Sequence, residues 1–263
     1  MLNPLNPKRV SQFSISKIGE NDDDNKDSVT YSEKFNRFAL SDGVSGASYS
    51  REWAHLLTTG FVKNPFVKND FDIKSWITPL QIAWYNTVPW ESLQSKSTPE
   101  YMLRKAEDGG AATFLGGLFF TINEKTILKI CALGDTNLFL VRGNENILSF
   151  PLTVSEEFGI DPDMFFSLPK DVNDPTSSQV GKLLYTEIDI QKDDLLICAS
   201  DSISNWYVDS LKNPFYKSDG TAILPWIKLE QISSKDEFRN FITEKVNCKK
   251  MKNDDSTLLI LRF

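Results

Sequence analysis

Residues 126–142 read TILKICALGDTNLFLVR: two runs of branched and apolar residues separated by Gly134-Asp135-Thr136. Runs of this length and composition are strand-formers, and a Gly-Asp turn supplies the positive φ that a tight reversal needs. The spacing therefore predicts an antiparallel hairpin of Thr126–Leu133 with Asn137–Arg142. Working outward, the same kind of run recurs at residues 37–41 (RFALS), 117–122 (GLFFTI), 183–190 (LLYTEIDI), 195–200 (LLICAS) and 256–263 (STLLILRF).

Helical periodicity falls between these runs. Residues 51–62 place Trp53, Leu56, Leu57 and Phe61 near a 3.6-residue repeat, and residues 72–85 do the same with Ile73, Trp76, Ile77, Leu80 and Trp84. Thr98-Pro99-Glu100 reads as a helix start with Thr98 as N-cap and Pro99 at the first helical position, ended by Gly109-Gly110. Ser234 and Glu237 form a capping-box pattern ahead of Phe238, Phe241, Ile242 and Val246. Helices set between groups of antiparallel strands give an α+β class, expected as two sheets packed face to face with helices outside. The loose stretches at 21–27, 64–70 and 169–178 are too short for domain linkers, so residues 1–263 are expected to form a single domain.

The chain carries 29 Lys+Arg against 36 Asp+Glu, a formal charge of −7, and one histidine, His55. A negative field without a basic patch argues against nucleic acid and against anionic membranes. A single imidazole rules out histidine-rich zinc sites and forces any serine or cysteine hydrolase mechanism through His55, whose mid-helix setting reads as a surface or core-edge residue. Neither a GxxxxGK[ST] nor a GxGxxG pattern is present, and Asp22-Asp23-Asp24 fails as a calcium loop because Ser28 and Lys34 stand where glycine and glutamate are required. Cys131 and Cys198 lie in apolar runs and are read as buried free thiols, which points to a cytoplasmic protein. There is no apolar leader and no run long enough to span a membrane. The tryptophans, Trp90 and Trp226 after prolines among them, are most simply packing residues.

Two strand-like runs end in the same dipeptide, Ser41-Asp42 and Ser200-Asp201, and Asp254 precedes the closing run. Carboxylates at the ends of core strands are desolvated and persist when paired or bound to a cation, and no Lys or Arg lies within the first two motifs. Oxygen ligands of this kind suit Mg²⁺ or Mn²⁺, and Gly43 lets the chain turn so that its carbonyl approaches an ion. The acidic loop from Asp22 to Asp27 is a candidate for outer carboxylates that orient metal waters. Asp255 competes with Asp254, and Asp135 reads chiefly as a turn residue.

In order along the chain, Asn25-Lys26-Asp27-Ser28, Phe38-Ala39-Leu40-Ser41-Asp42-Gly43, Gly110-Ala111-Ala112-Thr113, Leu133-Gly134-Asp135-Thr136, Ala199-Ser200-Asp201 and Asp254-Asp255-Ser256-Thr257 resemble the elements of the metal-dependent protein phosphatases of the 2C type. The resemblance spans nearly the whole chain. It implies an α/β/β/α sandwich, a centre of two Mn²⁺ or Mg²⁺ ions with room for a third, and hydrolysis of phosphoserine or phosphothreonine in a phosphoprotein by a monomer. Carried over, Asp42 bridges both ions and is catalytic, the Gly43 carbonyl binds one of them, Asp201 (also catalytic) and Asp254 hold the other, and Asp27 acts through a water. The chain departs from the family at Asp22, where an arginine often holds phosphate, at Val44, where a histidine is usual, and at Ser202, where glycine follows the aspartate. Arg51 and Lys26 are the candidate replacements for phosphate binding. These departures keep a second class open, a pseudophosphatase that binds a partner protein without turnover. A third reading is a hydrolase of small phosphoesters on the same metals.

Overall fold

Leu195–Ala199 (LLICA) is buried at every residue, which no sheet with one wet face allows. Its side chains divide by parity: Leu196 and Cys198 enter a core between two sheets, whereas Leu195, Ile197 and Ala199 face a second core under helices. A computed structural model describes residues 5–66, 73–159, 161–169, 179–180, 182–216, 219–220 and 222–263; most of the loose stretches expected at 64–70 and 169–178 lie outside these residues. Ten strands make the two principal sheets: β1 Arg9–Ile15, β2 Ser28–Ser32, β3 Arg37–Ser41, β4 Phe114–Ile122, β5 Lys125–Leu133, β6 Asn137–Arg142, β7 Glu145–Phe150, β8 Leu184–Ile190, β9 Leu195–Ala199 and β10 Ser256–Arg262. One sheet runs β1-β10-β9-β6-β7 and the other β8-β5-β4-β3-β2, every pair antiparallel.

Helices cover both outer faces. On the second sheet lie α1 Ser50–Lys63 and α2 Ile73–Thr87, where Trp53, Leu57, Phe61, Trp76 and Trp84 share a core with Phe114 and Leu133. After a single helical turn at Trp90–Leu93, α3 Glu100–Glu107 follows on that side, with Ala106 in the same core. On the first sheet lie α4 Asp201–Lys212 and α5 Lys235–Asn247, whose Trp206, Tyr207, Phe238 and Ile242 pack with Phe139, Ile197 and Ile260. The layers are helix, sheet, sheet, helix, as expected.

The expected hairpin at residues 126–142 does not form. β5 is already paired on both edges, by β4 and β8, while β6 joins the opposite sheet between β9 and β7. Gly134, at φ +95°, turns the chain from one sheet to the other, and a side chain there would collide with the Asp163 carbonyl and Thr113. Leu128, Ile130 and Ala132 of β5 meet Leu138 and Leu140 of β6 across the central core instead. The hairpin partner of β5 is β4, joined through Asn123 and Glu124, both at positive φ as a two-residue reversal requires.

Two local expectations also shift. Pro99, not Thr98, is the N-cap of α3, and the Thr98 hydroxyl donates to the Ser92 carbonyl. At α5 the Ser234 hydroxyl accepts from the Glu237 amide as expected, but the Glu237 carboxylate reaches back to the amide and hydroxyl of Ser233. Cys131 and Cys198 are buried free thiols, and Cys248 is exposed. Trp226 is buried and the Trp90 indole donates to the Tyr85 carbonyl, consistent with packing roles. Among the described residues no helix is long and apolar enough to cross a membrane.

Candidate metal centre

Antiparallel registers bring one end of both sheets together. β9, β1 and β3 finish there with Ala199, Ile15 and Ser41, and β10, β6 and β2 start there with Ser256, Asn137 and Ser28. The strand-end acids, distant in sequence, therefore converge. Asp42, Asp135, Asp201 and Asp254 line one cavity of about 320 Å³ together with Thr113, Gly159 and Lys252. A second cavity, of about 380 Å³, is lined by Asp27, Ser28, Arg51, Glu52 and His55.

Backbone hydrogen bonds fix Asp42. Its carbonyl accepts from the Thr113 amide at 2.9 Å, and the Ser41 hydroxyl donates to the Thr113 carbonyl at 2.6 Å. Asp27 is buried, and neither carboxylate oxygen meets a donor in full hydrogen-bond geometry, its polar neighbours being the Thr257 hydroxyl and the Asp42 carboxyl. Burial first, and then the Asp255 carboxylate, push its carboxyl up to about 8. Burial and the carboxylates of Asp27 and Asp201 raise Asp42 well above the ordinary carboxylate range. Asp201, at the first position of α4, is raised to about 7 by burial and by Asp135 and Asp254. Such a group of acids repels itself unless protons or cations neutralise it.

Gly43 has a steric reason that the sequence does not reveal. A Cβ there would lie 2.6 Å from the Lys26 carbonyl and 3.0 Å from that of Ser50, so glycine lets the end of β3 approach both the Asp27 segment and α1. Asp255 is spent elsewhere: its carboxylate accepts from the amides of Lys17 and Lys26, which holds the segment carrying Asp27. Asp254 is the member of the pair that lines the cavity.

Asp22 and Asp23, at the start of the acidic loop, find partners outside the acid cavity. Asp22 binds Lys235 at 2.7 Å and Arg239 at 2.6 Å on α5, and these partners hold its carboxyl below the usual range. Asp23 is exposed beside Arg51, which donates to its carbonyl. Arg51 lines the Asp27 cavity, so it stays near the acids, while Lys26 lines neither cavity.

Two residues were not assigned to the centre from sequence. Asp135 is buried in the cavity, accepting from the Gly159 amide at 2.9 Å, with its carboxyl raised by burial. The hint was its place in the Gly-Asp-Thr element. Lys252 brings a cation that the strand-end motifs lack, its ammonium 2.5 Å from Asp254 and 3.8 Å from Asp201. It lies two positions before Asp254, outside the motifs themselves.

Among the described residues no three His, Cys, Asp or Glu side chains are gathered closely enough to enclose an ion as they stand. The donor set nonetheless fits a hard divalent cation: all ligand candidates are oxygen, and the Asp27 carboxylate is buried with no donor in full hydrogen-bond geometry.

Solved structures share this fold. The serine/threonine phosphatase Stp1 from Staphylococcus aureus matches with a TM-score of 0.57 at 14% identity, covering 100% of this chain and 97% of that one. The Mycobacterium tuberculosis serine/threonine phosphatase PstP/Ppp matches with a TM-score of 0.55 at 14% identity, covering 97% and 98%. The chain has the fold of the 2C-type phosphatases. A structure of the PstP catalytic domain in complex with two manganese ions matches this 2C-type fold with a TM-score of 0.52 at 15% identity, covering 97% of each chain. No family model matches the sequence, and no curated protein does.

Proposed function

We propose that this chain is a Mn²⁺- or Mg²⁺-dependent phosphatase acting on phosphoserine or phosphothreonine in proteins, as a cytoplasmic monomer. The observation that carries the reading is the buried Asp27 carboxylate, met by no donor in full hydrogen-bond geometry, beside the strand-end acid Asp42. In a 2C-type fold such a pair is where a divalent ion is expected.

Asp27, Asp42 and the Gly43 carbonyl would hold ions on one side, and Asp201 and Asp254 on the other. When bound, two divalent ions supply a water of lowered pKa and neutralise the phosphoryl oxygens. Asp42 and Asp201 orient this chemistry because strand and helix backbone fix both. The Thr113 hydroxyl donates to or accepts from Thr136 at 2.6 Å and stands 3.3 Å from the Asp42 amide, which holds the strand end in place. Arg51, which lines the cavity on the Asp27 side, would meet a phosphate bound there.

The test is hydrolysis of p-nitrophenyl phosphate and of a phosphothreonine peptide with Mn²⁺, Mg²⁺ or EDTA. Turnover in metal, lost in EDTA and in Asp42→Asn and Asp201→Asn, supports the proposal. Equal turnover in the variants refutes it. Lys252, placed against Asp254 and Asp201, favours one second reading: a pseudophosphatase that binds a phosphoprotein without turnover. Phosphopeptide binding in EDTA with no hydrolysis at saturating Mn²⁺ would select it.

A further inference from the structure

The acids of the candidate centre are not neutralised evenly. Among the described residues neither Asp27 nor Asp42 has an ion-pair partner, whereas Asp201 and Asp254 share the ammonium of Lys252 at 3.8 and 2.5 Å. Lys252 lines the acid cavity and also the adjoining groove of about 630 Å³ between α4 and residues 249–253. Its side chain is 64% exposed, so the ammonium can withdraw into the groove without entering the core.

We propose that Lys252 is an internal cation standing where a second divalent ion would bind, so that the resting protein takes one ion tightly at Asp27 and Asp42. A second ion enters between Asp201 and Asp254 only by displacing the ammonium. This rests on the metal reading above and deepens it, because the occupancy of the second position then depends on a residue of the chain itself. An ammonium and a divalent ion compete for the same carboxylate oxygens, and the lysine is always present at its own site.

Calorimetric titration of the full chain with Mn²⁺, with EPR of free Mn²⁺ as an independent count, tests the assignment without turnover. Wild type is expected to bind one ion tightly and a second at least tenfold more weakly. Lys252→Met, which keeps the stem and removes the charge, is expected to tighten the second ion about tenfold, and Lys252→Arg to resemble wild type. Two ions of equal affinity in wild type, or a second ion unaffected in Lys252→Met, overturn the inference and leave the metal reading standing. No Mn²⁺ binding by any of the proteins overturns both.

Discussion

Replacing Asp27 with asparagine should stabilise the metal-free protein and flatten its dependence on pH. The carboxyl is raised to about 8 in the fold by burial and Asp255, against 3.8 for an ordinary aspartate. Between those values the folded chain holds a proton that the unfolded chain releases, so the stability that the protonated acid contributes is lost as pH rises. The loss is at most about 1.4 kcal/mol per pH unit for one proton, or about 3 kcal/mol between pH 5 and pH 7. The asparagine amide keeps the shape of the acid and carries no charge, and it also relieves the repulsion on Asp42. In EDTA, thermal melts at pH 5, 6 and 7 should show the variant gaining on wild type by roughly 6–12 °C across the series, at about 2–4 °C per kcal/mol for a chain of this size. Saturating Mn²⁺ should reverse the order, because only wild type then has a carboxylate ligand at position 27. Parallel pH curves for the two proteins in EDTA would refute the reasoning, since they would mean that Asp27 is ionised or solvated in the fold.

Elsewhere the fold makes its own demands. Asp194 is fully buried and accepts from Arg142 at 2.7 and 2.9 Å and from the Gln191 amide, so Arg142→Leu should cost about 3–5 kcal/mol in urea denaturation by leaving a buried charge unpaired. Gly117→Ala would drive a Cβ into the Phe38 ring in the central core, with an expected cost of about 1–3 kcal/mol in the same assay. Asp22→Asn, which removes surface pairs with Lys235 and Arg239, should cost about 1 kcal/mol or less and leave Mn²⁺ affinity unchanged.

What the sequence reveals here follows from how local each signal is. Strand-end acids such as Asp42 and Asp201 are visible because the apolar run and the dipeptide are contiguous, and the periodicity of α1 or the cap at Ser234 is equally local. Sheet membership is not. Residues 126–142 look like a hairpin because the turn chemistry at Gly134 is right, yet β5 finds both partners in segments remote from β6. The strands at Arg9–Ile15 and Ser28–Ser32 carry no clear apolar run because each lies at the edge of a sheet and has polar residues on its open side. Asp135, Lys252 and the anchoring role of Asp255 depend on which loops share one end of the sandwich, and that is settled by register across both sheets.

The central claim, that the acids at this end of the sandwich form a divalent cation centre, is tested most directly by anomalous scattering at the manganese edge from crystals grown with Mn²⁺. A peak within coordinating distance of the Asp42 and Asp27 carboxylates, absent from Asp42→Asn crystals, is the predicted result. A cavity without an anomalous peak at saturating Mn²⁺, or a peak held by residues other than these, would contradict it.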